Sequence, residues 1–167
     1  MKKVLPFEKH ILRTRLSKEQ VIEKLKESVE PEKSFGFGSF NFSYTKPYVG
    51  RINGETFEIK RAINYRNSFL PLIKGVVNSD IGRTKIDISM KPHDFVIAFM
   101  AIWFGGVTIG CIATTYVMLT DDFNPFLLIP FAMLLFGIAL VVGAFKTESS
   151  KSKKDLLTIL EAEIEER

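Results

Sequence analysis

Two stretches free of charged side chains decide most of what this chain can become. FVIAFMAIWFGGVTIGCIATTYVML (Phe95–Leu119) has 25 residues and FLLIPFAMLLFGIALVVGAF (Phe126–Phe145) has 20. As α-helices they would be roughly 37 Å and 30 Å long at about 1.5 Å per residue, enough to cross a hydrocarbon core of about 30 Å. The residues between them, TDDFNP, allow only a tight reversal. Two helices that are apolar on every side need a large protein around them to be stable in water, and the rest of a 167-residue chain is too small for that. The expectation is a transmembrane hairpin over 93–145, with spans at 95–119 and 126–145 and an outer loop at 120–125.

Charge is distributed to match. Residues 95–145 hold Asp121 and Asp122 and no Lys, Arg or Glu, whereas the rest of the chain carries all 23 basic groups. Arg83, Lys85, Lys91 and His93 precede the first span; Lys146, Lys151, Lys153 and Lys154 follow the second. Positive charge is retained on the cytoplasmic side of a bilayer, so both termini are expected in the cytoplasm and Asp121–Asp122 outside. MKKVLPFEKHIL begins with two lysines but has no apolar run, unlike a cleavable signal peptide. The single cysteine, Cys111, lies within the first span, which excludes an intrachain disulfide, zinc cluster or redox pair.

The flanking sequence reads as an α+β domain over 1–92. Phe7–Leu16 alternates as a strand, with Leu12, Thr14 and Leu16 opposite Lys9, Arg13 and Arg15. Ser17 and Gln20 then form a capping box for a helix with Val21, Ile22, Leu25 and Val29 on one face, ended by Pro31. Phe35–Tyr44 alternates aromatics but slips phase at its glycines. Tyr48–Ile52 and Thr56–Ile63 flank Asn53-Gly54, a strong hairpin signal. Leu70–Asn78 and Arg83–Met90 form a second pair around SDIG. After the apolar stretches, Leu156, Leu157, Leu160 and Ile164 make one helical stripe, so residues 146–167 are expected as a separate amphipathic helix docking on the first domain. The expected fold is thus an antiparallel β-meander with an N-terminal and a C-terminal helix, interrupted by a two-helix hairpin. Without the hairpin, the order β-α-β(n)-α matches helix-grip or START-type folds; a pleckstrin-homology layout fits the meander but not the early helix.

RINGETFEIKRAINYRNSFLPLIKG followed by KPHDFVIAFMAIWFGGV resembles a family of small, uncharacterised bacterial two-span membrane proteins with a basic β-rich domain. The resemblance covers roughly residues 48–145. It implies a bacterial plasma (inner) membrane and no particular chemistry.

The residues offer little for catalysis. His10 and His93 lie more than eighty positions apart, and Asp121–Asp122 lack further oxygen ligands for a divalent ion. No phosphate loop, zinc-protease or nucleophile-elbow motif occurs. An enzyme is not expected, nor is any cofactor or metal. Residues 1–94 carry 18 Lys and Arg against 11 Asp and Glu, so membrane lipids with anionic headgroups would attract this part. Aromatics in strand alternation without an RNA-binding motif argue against nucleic acid. Gly106-x-x-x-Gly110 and Ala139-x-x-x-Gly143 offer small faces for packing the spans together. A homo-oligomer would need the same surface or a second one.

One segment spends more polar residues than a connection needs. In NYRNSFLP, residues Asn64, Tyr65, Arg66, Asn67 and Ser68 join two strands. The expectation favoured here is structural, with the arginine and amides satisfying backbone carbonyls at a wide turn. The functional alternative is a polar site in which Arg66 grips a phosphate or carboxylate, Asn64, Asn67 and Ser68 donate hydrogen bonds, and Tyr65 lines the wall. Together these features read as a non-enzymatic inner-membrane protein that presents its cytoplasmic module to an unknown protein partner or to lipid. The alternative is a helix-grip-like binding module for a lipid or small anionic ligand. A cavity shared by apolar side chains and Arg66 would favour that alternative; a filled core would favour the first.

Overall fold

The computed structural model describes residues 6–32, 44–120 and 124–165. Strand β1 (Glu8–Thr14) leads into helix α1 (Lys18–Ser28). The capping box is present: the Ser17 backbone N–H donates to Gln20 Oε1 at 2.8 Å, and the Gln20 N–H donates to Ser17 Oγ at 3.3 Å. Val21 and Leu25 are the buried positions of this helix. It stops at Val29, where extended backbone begins the two-residue strand β2 (Val29–Glu30).

Strands β3 (Tyr48–Asn53) and β4 (Thr56–Arg61) pair antiparallel around Gly54-Glu55, one residue later than Asn53-Gly54. Gly54 has φ 58° there, a conformation cheap only for glycine. Strands β5 (Leu72–Asp80) and β6 (Arg83–Lys91) form the second hairpin. Helix α2 (Asp94–Thr120) follows, then a 3₁₀ turn at Pro125–Leu128, helix α3 (Ile129–Ile159) and strand β7 (Ala162–Ile164). Of the three helices, α2 and α3 are long and apolar enough to cross a membrane. All but one residue of the Phe35–Tyr44 alternation, together with Asp121 and Asp122, lies outside the described residues.

The sheet has seven strands in the order β2-β3-β4-β5-β6-β1-β7. The expected meander is therefore only its centre. β2 runs parallel to β3, and β1 inserts between β6 and β7, so the sheet is mixed. α1 must cross the sheet from β1 near one edge to β2 at the other.

A second correction concerns the C-terminus. Among the described residues no separate terminal helix forms; α3 runs unbroken from its apolar half onto the sheet. Leu156 and Leu160 are buried as the stripe implies, and Leu157 packs against the core. Ile164, however, sits in β7 opposite Leu12. The chain turns at Glu161, with φ 46°, and Thr14 Oγ1 donates to its carbonyl at 3.1 Å. A four-residue apolar stripe fits a helix, but Ile164 gains more by completing a sheet edge that would otherwise stay open.

One face of the sheet is sealed by α1 and the second half of α3. Tyr48, Ile59, Ile73, Ile86 and Met90 meet Val21, Leu25, Phe145, Leu156 and Leu160, each at most 1% exposed. At about 1.5–3 kcal/mol for each large side chain, this layer supplies the main stabilisation. Gly75 serves it by lacking a side chain: a Cβ there would lie 2.1 Å from the Phe57 ring. The space between sheet and α3, where a helix-grip protein keeps its cavity, is filled.

Candidate functional site

Two carboxylates hold α3 to the sheet where its apolar half ends. Glu148, on α3, has a side chain 3% exposed. It accepts from the Tyr65 hydroxyl at 2.6 Å, from Arg61 Nη1 at 3.0 Å and from Lys151 Nζ at 3.1 Å. Arg61 Nε also lies 3.3 Å from Asp155. Burial would raise the Glu148 pKa, but the hydrogen bonds from Tyr65, Lys151 and Arg61 outweigh it and hold the carboxyl below its ordinary value. The same bond pushes the Tyr65 hydroxyl pKa up.

Glu8, on β1, grips the neighbouring side of α3. Its carboxylate accepts from Ser149 Oγ at 2.8 Å and Lys146 Nζ at 3.2 Å, lies 3.1 Å from His10 Nε2 and has Lys153 at 3.6 Å. Burial again opposes ionisation, but the bonds to His10, Ser149 and Lys146 and the field of Lys153 bring its pKa from 4.5 to about 2. Both carboxylates are thus ionised and saturated near neutrality, which suits clamps rather than general acids. Between them the Tyr48 hydroxyl donates to the Ser152 carbonyl at 3.2 Å, and burial pushes its pKa up.

The Asn64–Pro71 segment divides in the structure. Tyr65 belongs to the Glu148 clamp. Asn67 builds the turn, its Oδ1 accepting from the Phe69 N–H at 3.0 Å and its carbonyl from the Leu70 N–H at 3.2 Å. Arg66 is exposed and makes no hydrogen bond or ion pair among the described residues. The expectation that it ties down backbone carbonyls therefore fails: the shorter Asn67 side chain reaches the local backbone first. Asn64 is exposed and likewise apart from the site.

Asn67 and Ser68 instead line a polar basin of about 320 Å³ at the end of the sheet nearest α2. Arg51, Glu58 and Lys60 of β3 and β4 form one wall, and His93 the other. Lys60 pairs with Glu32 at 2.5 Å and Glu58 with Lys74 at 2.8 Å, whereas Arg51 has no such partner among the described residues. Ser68 also borders a second, apolar crevice of about 520 Å³. Phe69, Phe95, Phe99, Trp103, Phe136 and Leu140 define it, so it runs along both long helices. Sequence reading noticed His93 at the entry to the first apolar stretch but missed Arg51 and this crevice, because their convergence depends on a loop folding over a sheet end.

The helices pack through Gly110, one of the four expected small residues, and through Gly137, which lies outside both small-residue motifs. A Cβ on Gly137 would stand 2.4 Å from the Trp103 ring, and one on Gly110 would meet Pro130 at 3.6 Å. Gly106, Ala139 and Gly143 are exposed, with nothing within 4 Å of a Cβ at either glycine. The aromatic ring of Trp103 selects Gly137 as the point of close approach.

Among the described residues, no helix covers the face of the sheet opposite α1 and α3. Lys9, Ile11, Arg51, Lys74, Val76 and Asp87 border a broad hollow there, of about 1110 Å³. Val76, one of its lining residues, is 40% exposed. No protein-family model matches the chain, and neither a curated protein nor a solved structure does.

Proposed function

We propose that this is an integral membrane protein without catalysis of its own, anchored by α2 and α3 and presenting its α+β module on the cytoplasmic side to a protein or lipid partner. The observation that carries this reading is the unbroken course of α3 from an apolar segment into the sheet's core. A module fixed in that way has one face committed to its anchor and the other, bordered by Ile11, Val76 and charged residues of both signs, free for contact. The lysines flanking the apolar helices support the cytoplasmic side. The filled core favours interaction through surfaces over a helix-grip cavity.

Location is tested with single cysteines, Asn124→Cys and Ser150→Cys, in a Cys111→Ala background. Only position 124 should react with an impermeant maleimide in intact cells; reaction at 150 reverses the orientation. The interaction is tested by affinity capture of the detergent-solubilised protein, with proteins and lipids identified, beside a Val76→Asp variant. A partner lost with Val76→Asp supports the open face, and identical captures remove it from the reading.

A further inference from the structure

We propose that the polar basin and the apolar crevice are two halves of one seat for a single anionic phospholipid of the cytoplasmic leaflet. This rests on the membrane reading above and names the ligand at one site. The two hollows meet at Ser68, which borders both. They also follow one another along the start of α2: His93, immediately before the helix, lines the polar basin, and Phe95, Phe99 and Trp103 on its first turns line the crevice. From position 93 to position 103 a helix rises about 15 Å, close to half of a hydrocarbon core of about 30 Å. One acyl chain lying along Phe95, Phe99 and Trp103 would therefore remain within its own leaflet.

The charge count selects the headgroup. Among the described residues Lys60 pairs with Glu32, and Glu58 with Lys74 beside the basin, so that Arg51 is the lining cation without an ion-pair partner. A phosphodiester with one net negative charge balances it, and a guanidinium can grip two of its oxygens at once. Ser68, Asn67 and His93 supply hydrogen-bonding groups for a glycerol headgroup. A zwitterionic lipid offers the same phosphate but brings a cation that would leave the basin's charge unbalanced.

Trp103 is the only tryptophan in the chain and lines the crevice, so its fluorescence reports occupancy directly. The full chain would be reconstituted in vesicles containing either phosphatidylglycerol or phosphatidylethanolamine with brominated acyl chains, at equal mole fraction. Bromines quench an indole they touch. Phosphatidylglycerol should quench with about tenfold preference, the scale of one charge-assisted contact. Arg51→Ala, on the exposed head side, and Ser68→Phe, which plugs the junction, should each abolish that preference. Arg83→Ala removes an equal charge at the far end of the sheet and should retain it. Equal quenching by the two lipids in the unmodified protein means ordinary annular lipid and overturns the proposal. So does a preference that survives Arg51→Ala, or one that falls as far in Arg83→Ala. Failure of the membrane reading itself looks different: neither lipid quenches, and alkaline carbonate releases the protein from the vesicles.

Discussion

On β6, Thr84, Ile86, Ile88 and Met90 lie buried beneath the helices, whereas Arg83, Lys85, Asp87 and Ser89, one residue out of step, face away from them. The same strand thus serves a sealed face and an open one. On the sealed side Ile86, Ile88 and Met90 belong to the core shared with α1 and α3, and Thr84 donates to the Leu16 carbonyl at 2.7 Å. On the open side neighbouring charges pair loosely, as Lys85 does with Asp87 at 3.2 Å, and such exposed pairs add about 0–1 kcal/mol. The contrast separates what holds the protein together from what is left to meet something else.

The sharpest test of this division is Leu160→Asp, at a fully buried position where α3 ends on the sheet. An unpartnered charge there should cost several kcal/mol, roughly 3–5, read as lost protease resistance and a lower urea midpoint. Unchanged resistance would mean that α3 does not seal the face. The next largest effect is acid destabilisation through Glu8. Its folded pKa, about 2, lies below the ordinary 4.5, so its contribution is fully present above about pH 4.5 and is lost as pH falls toward 2. That contribution is of order 3 kcal/mol from the linkage relation. Melting curves between pH 7 and pH 2.5 should show it, and Glu8→Gln should flatten the decline. An equally steep decline in Glu8→Gln would assign the acid sensitivity elsewhere.

On the open face, Val76→Asp should change stability by no more than about 0.5 kcal/mol while weakening any partner docked there. A loss comparable to Leu160→Asp would abolish the distinction between the faces. The smallest expected effect is that of Arg66→Ala. With no partner to lose among the described residues, it should leave the melting temperature unchanged, and a clear drop would restore its expected part in the turn.

Period and punctuation made much of this legible in sequence. Alternation located β3 to β6, the Ser17–Gln20 pair fixed the start of α1, and uninterrupted apolarity announced α2 and α3. What stayed hidden depends on pairings between distant segments. Nothing local tells that β1 slots between β6 and β7, or that Val29–Glu30 pairs with Tyr48–Val49. The end of α3 misled because Ile164 fits a helical stripe and a strand equally well. At the candidate site, five adjacent polar residues drew notice, yet they serve separate ends: Tyr65 clamps Glu148, Asn67 shapes a turn and Ser68 joins two hollows. Their presence was readable, but Glu148, which Tyr65 bonds, and Arg51, which lines the basin beside Asn67 and Ser68, come from elsewhere in the chain.

If α3 crosses a bilayer as proposed, its continuity also makes the protein a lever. A helix that accommodates bilayer thickness by tilting would carry with it the sheet clamped to its other half by Glu8 and Glu148. Strands of nine residues such as β5 extend about 30 Å at about 3.3 Å per residue. A change in tilt of about 10° would therefore swing the far hairpin by roughly 5 Å relative to the membrane surface. Bilayer thickness would then set how far the open face stands from the headgroups, and with it the reach of anything the face holds.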